Sequence, residues 1–205
     1  NQTVGHGLSS TPDMVILKAR DEGSTWYTGH VGLGTNEALG LNDTGAAFNV
    51  ATGQSGGGIG ARSSTTFTLQ DGTNSANNVN RDGYKFIAYC FHSVTGYSKI
   101  GSYTGNGSNT GTIVTTGFRP AFLLIKNTEA SSSWYLYDSV REPQDSKGQP
   151  LFPNNTSGNT SYYERLKFTD TGFQLLHTDT DLNGNGTTYI YMAFADKREY
   201  AYWLD

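Results

Sequence analysis

The stretch TPDMVILKARDEGSTWYTG (Thr11–Gly29) returns, altered but recognisable, as FRPAFLLIKNTEASSSWYLY (Phe118–Tyr137). Pro12 falls on Pro120, Lys18 on Lys126 and Trp26-Tyr27 on Trp134-Tyr135, each pair 108 residues apart (26 to 134, for example) without a gap. Each copy is a short apolar run, a polar turn and an aromatic run, which reads as strand, turn, strand. Working outward, LNDTG at Leu41 echoes PNNTSG at Pro153, TFTL at Thr66 echoes GFQL at Gly172, and FIAYCF at Phe86 echoes YIYMAF at Tyr189. The order of landmarks is kept while the spacing drifts, as loops drift between copies of one unit. A duplicated β unit is therefore expected.

Composition agrees with that reading. The chain has 26 glycines, 13 tyrosines and 10 phenylalanines in 205 residues, and only 16% of its residues are charged. Aromatic and β-branched residues suit strands, while Gly and Asn suit turns. Good helix formers never gather at a 3.6-residue period. The near-continuous apolar runs MVILK, AFLLIK and YIYMAF call for strands covered on both faces, as in sheets packed face to face. The expected fold is all-β, a β-sandwich of jelly-roll or lectin-like kind. It is built from two related tandem units, residues 1–95 and 118–205, joined by a strand and hairpin segment at 96–117, and these form either two sandwich halves or one larger sandwich. The turn TGNGSNTG between IGSY and TIVTT is the hairpin signal.

Several function classes recede. Net charge is -4 and the 14 basic residues are scattered, so no stripe exists to neutralise phosphates, and no nucleic-acid partner is expected. No apolar run is long enough to span a bilayer as a helix, and no membrane insertion is expected. The single cysteine, Cys90, sits in an apolar run where a thiol serves as a small hydrophobe. The chain begins with Asn and shows no signal peptide, so a longer gene product is expected around it. The four histidines lack zinc spacing, and no nucleophile elbow or phosphate loop is present. No placed carboxylate pair stands out for glycoside hydrolysis, so catalysis is not expected.

Three features carry site hypotheses. HTDTDLNGNG (His177–Gly186) resembles the start of a calcium loop, with Asp179, Asp181 and Asn183 as ligands beside backbone carbonyls. The twelfth position, where a bidentate Glu belongs, is Ile190, so an Asx-turn that launches the last strand is the competing reading, and no cofactor is favoured. Trp26 and Trp134, with Tyr162 and Tyr163, are candidate sugar-stacking platforms. Adjacent residues of a strand face opposite ways, and recurrence in both copies is also what core positions show. Asp138 and Arg141 sit in the charged segment YDSVREPQDSKGQP, where an ion pair that pins the loop is the plain expectation.

Five phrases taken together, NQTVGHGL, PDMVILK, FIAYCFHSVTGYSKIGSYTGNGS, TGFRPAFLLIK and TYIYMAFAD, resemble a β-rich domain of virion and tail-associated proteins of tailed bacteriophages. The resemblance runs from Asn1 to about Asp196; the acidic Asp179/Asp181 loop and the glycine run at Gly56–Gly58 depart from it. It implies a module on the virion surface, in a tail fibre or related appendage, with other virion proteins and a host glycan or receptor as partners. It also implies a homo-oligomer, a trimer above all, as fibres usually are. The family brings no agreed activity and no catalytic residues. A capsid decoration or assembly connector without a ligand is the alternative; a polysaccharide-degrading domain and a non-viral surface adhesin stand behind it.

Overall fold

The computed structural model describes residues 1–50, 58–70, 79–141, 150–156 and 164–196. It is all-β, with no helix among those residues. The chain divides into two compact units. Unit 1 is Asn1–His92 with Thr128–Ser132, and unit 2 is Ser93–Asn127 with Ser133–Asp205.

Unit 1 holds β1 (Gln2–Gly5), β2 (Met14–Ala19), β3 (Tyr27–His30), β4 (Glu37–Gly40), β5 (Phe48–Asn49), β6 (Gly58–Arg62), β7 (Thr66–Gln70) and β8 (Phe86–Phe91). They form a five-stranded sheet in the order β5-β4-β3-β2-β8 and a three-stranded sheet in the order β1-β7-β6. All pairings are antiparallel. Val15, Leu17, Tyr27 and Ala38 from the larger sheet meet Ile59, Phe67 and Leu69 from the smaller one in a single core. Two sheets sharing one core make this unit a β-sandwich.

Unit 2 holds β9 (Ser98–Thr104), β10 (Ile113–Thr115), β11 (Pro120–Asn127), β12 (Tyr135–Asp138), β13 (Leu166–Thr169), β14 (Gly172–Leu175) and β15 (Thr188–Ala195). Its sheets run β12-β11-β15-β9 and β10-β14-β13. Their shared core is rich in tyrosine: Tyr103, Tyr135, Tyr137, Tyr189 and Tyr191 pack with Leu123, Ile125, Phe168, Phe173 and Leu175. Tyr103 stacks on Tyr189 at 5.0 Å and meets Phe173 edge-on at 5.8 Å.

The matched sequence stretches occupy matching places in their units. Leu17 pairs with Tyr27 in β2–β3, and Ile125 pairs with Tyr135 in β11–β12. Lys18 lies opposite Ile87 on β8, as Lys126 lies opposite Ile190 on β15. Val4 faces Phe67 and Val114 faces Phe173 in the smaller sheets. The Trp26 backbone N–H donates to Asn42 Oδ1 at 2.8 Å, and that of Trp134 to Asn154 Oδ1 at 2.7 Å. Lys18 Nζ donates to the carbonyl of Ala19, and Lys126 Nζ to that of Asn127 at 2.7 Å, so each lysine ties down the end of its own strand.

The segment 96–117 differs from expectation. It is part of unit 2 rather than a connector, and β9 and β10 do not pair with each other. β9 joins β15 through Thr188↔Thr104 to Phe194↔Ser98, and β10 joins β14. Both strands carry apolar residues that need a core. Tyr103 and Val114 reach it from opposite sheets, which a closed hairpin would prevent. TGNGSNTG is thus a crossing between sheets. The first stretch of unit 1 ends at His92, slightly earlier than read from the sequence, and Thr128–Ser132 belongs to unit 1 rather than to the second unit.

Both faces of β2, β11 and β15 are largely buried, in line with their apolar runs. β8 is the exception. Despite an equally apolar sequence, none of its residues is fully buried, because it closes the edge of its sheet.

Candidate functional site

The acidic loop is a structural device. Asp179 Oδ1 accepts from the backbone N–H groups of Asp181 at 2.8 Å and Leu182 at 3.2 Å, which is the Asx-turn. Its other oxygen lies 3.1 Å from Arg165 Nε, and Tyr135 Oη donates to Asp181 Oδ2 at 2.7 Å. Arg165 Nη1 donates to Tyr135 Oη at 2.9 Å and closes the network. Burial, aided by the hydrogen bond to Asp181, pushes the Tyr135 phenol above its usual range. Burial opposes charge on Arg165, but the nearby Asp179 carboxylate and Tyr135 outweigh it and raise its pKa.

Asn183 is 1% exposed, and its side chain is fully engaged. Its Oδ1 accepts from Asn106 N–H at 3.0 Å. Its Nδ2 donates to Asn106 Oδ1 at 3.1 Å, Ser108 O at 3.0 Å and His177 O at 2.9 Å. An amide nitrogen aimed at carbonyls offers nothing to a cation. Among the described residues, no group of three or more His, Cys, Asp or Glu gathers as a metal site.

The aromatic candidates separate. Trp134 is 1% exposed and belongs to the interior, so it cannot stack a sugar. Trp26 is half-buried and stacks on Tyr89 at 6.3 Å, with Tyr89 itself 42% exposed. Tyr162 and Tyr163 lie outside the described residues, as does most of the charged loop after Arg141. Asp138 and Arg141 do pair, and Asp138 Oδ1 also accepts the Arg141 backbone N–H at 2.9 Å. Partial burial works against the Asp138 charge, but these hydrogen bonds and the guanidinium outweigh it and lower its pKa. Cys90 is half-buried, and burial pushes its thiol up, away from the reactive thiolate.

A cleft of about 610 Å³ opens at one end of unit 2. Gly96, Gly117, Phe118, Arg119, Pro120 and Ser139 line it together with Asp170, Ala195 and Asp196. Sequence reading singled out none of these as site residues. Two of its loops turn on glycines with positive φ, Gly96 at 69° and Gly117 at 88°, where a side chain would strain the backbone. The two-residue turn after β13 brings in Asp170. Its neighbour Thr171 accepts, through its carbonyl, the N–H of Thr116 at 2.8 Å and of Gly117 at 3.1 Å. Arg119 Nη1 donates to Phe168 O at 3.1 Å, which fixes the guanidinium at the wall. The Tyr97 carbonyl accepts from Ala195 N–H at 2.8 Å, and the Tyr97 ring, 47% exposed, meets Phe194 edge-on. The result is an open, polar surface that carries a guanidinium, a hydroxyl and two carboxylates. Such a set can hydrogen-bond a polyhydroxylated ligand.

A family model described as a domain of unknown function, DUF7483, matches residues 1–198. The chain belongs to that family. No curated protein and no solved structure matches this DUF7483 chain. Its cleft residues come from five separate stretches of sequence, so spacing offered no signal for them. The Gly96 and Gly117 turns were the only local hint.

Proposed function

We propose that the chain is a non-catalytic structural and adhesive module of a tailed-phage virion, in a tail fibre or related appendage. It contacts the host surface glycan through the cleft of unit 2. The observation that carries this reading is the placement of Arg119, Ser139 and Asp170 together around one cleft of the unit 2 sandwich. Loops on a stiff scaffold are where binding residues concentrate. Three of the phrases that carry the phage resemblance supply this one cleft: GYSK at Gly96, TGFRP at Gly117–Pro120 and AFAD at Ala195–Asp196. The module works as a homo-oligomer, a trimer in this reading, which multiplies weak single-site binding by avidity.

The test is binding of the purified oligomer to host cells and to envelope polysaccharide, with Arg119→Ala and Asp170→Ala as variants of unchanged fold. Retained thermal stability with lost binding supports the reading. No binding by the wild-type protein removes the adhesive role and leaves an assembly connector. Release of reducing ends, abolished by Asp170→Asn, would replace adhesion by hydrolysis.

A further inference from the structure

The two larger sheets differ at one edge. In unit 2 the strand β15 is flanked by β9, with Met192 opposite Ile100 and Ile190 opposite Ser102. In unit 1 the strand in the matching place is β8, where Tyr89 and Ile87 stand at the positions of Met192 and Ile190. Beyond β8 the sheet stops; among the described residues no strand pairs with its outer side. Exposure follows this difference. Ile190 and Met192 are 1% and 6% exposed, whereas Ile87 and Tyr89 are 39% and 42% exposed.

The inner face shows the same contrast. Tyr189, Tyr191 and Ala193 are buried, while their counterparts Phe86, Ala88 and Cys90 only partly cover the core of unit 1. Edge strands of natural proteins are usually blunted by charge, proline or a bulge. β8, FIAYCF, contains no charge and no proline, and its pairing with β2 runs without a register shift. Trp26, stacked on Tyr89, extends the apolar surface beside it.

We propose that β8 is a docking edge that accepts one antiparallel strand from another protein. The template for the occupant is β9, SKIGSYT: a short uninterrupted strand with a large aliphatic residue opposite Tyr89 and a small hydroxylated residue opposite Ile87. An aromatic residue lies opposite Phe86, as Tyr103 lies opposite Tyr189. Main-chain hydrogen bonds supply the affinity, and coverage of Ile87 and Tyr89 supplies the selectivity. A second copy of the chain cannot donate its own β9, because Tyr103 and Ile100 are buried in their own unit. This edge is in unit 1 and is independent of the cleft in unit 2.

The test uses the full chain and a fluorescent synthetic peptide of the sequence Tyr97–Gly105, followed by anisotropy and by amide exchange across β8. Saturable binding tighter than about millimolar is expected, with slowed exchange at β8. Ile87→Lys, at an exposed position that leaves the fold intact, weakens binding at least about tenfold. A peptide with proline in place of Gly101 does not bind. Absence of binding at millimolar peptide, or binding indifferent to Ile87→Lys, overturns the proposal. So does sedimentation showing that the free chain already self-associates through β8 in a manner abolished by Ile87→Lys, because the occupant is then a second copy.

Discussion

Replacing Asn183 by alanine removes four hydrogen bonds from a side chain that is 1% exposed. Each such bond contributes about 1 kcal/mol net, and leaving a buried partner unmet costs more. Asn106 is exposed, so water can replace its two bonds, whereas Ser108 O and His177 O are less accessible. The expected loss is therefore about 2–4 kcal/mol of unit 2 stability. Asn183→Asp has the same shape but turns a donor amide into an acceptor facing the carbonyls of Ser108 and His177. It should cost more than alanine. A calcium site would give the opposite order, because an added carboxylate strengthens a cation cage. Denaturant titration of wild type and both variants, with and without millimolar calcium, measures this. An alanine variant within about 1 kcal/mol of wild type, or an aspartate variant that calcium restores to wild-type stability, would refute the assignment of Asn183 as the staple between loops.

Other outcomes follow from the same geometry. Tyr103, Tyr135, Tyr189 and Tyr191 all have pKa values raised by burial, and all lie in unit 2. Their protons stay on in the folded state after the unfolded chain begins to lose them near pH 10. Stability is thus full below about pH 10 and falls above it by up to roughly 1.4 kcal/mol per tyrosine per pH unit. Alkaline unfolding followed by tyrosinate absorbance at 295 nm tests this; gradual titration of these tyrosines near pH 10 without unfolding would count against it. Trp134→Ala should cost about 3–5 kcal/mol in thermal or chemical denaturation, and Trp26→Ala clearly less, because only Trp134 is fully enclosed. Asp138→Asn should cost under about 1 kcal/mol at neutral pH, since the pair is partly exposed. The Asp138 pKa is lowered on folding, so that small contribution is present above about pH 4 and disappears as the pH falls through the folded value.

The two tryptophans show where reading from sequence stops. Their recurrence 108 residues apart identified equivalent positions, and the structure gives both the same asparagine cap. Recurrence could not say that one would be enclosed and the other left beside an exposed tyrosine. That difference lies in the tertiary surroundings, where Trp134 is 1% exposed and Trp26 rests on the 42%-exposed Tyr89. The β9–β10 segment makes the same point, because a Gly/Asn-rich turn between two strands looks the same whether it closes a hairpin or crosses a sandwich.

Local rules fixed the strand type, the order of landmarks, the Asx-turn at Asp179 and the ion pair at Asp138, because each depends on residues close along the chain. The cleft of Arg119, Ser139, Asp170 and Asp196, the fourfold role of Asn183 and the open edge of β8 came only with the tertiary structure. They depend on which strands become neighbours, and that is set by burial of apolar faces between sheets rather than by any short pattern of residues.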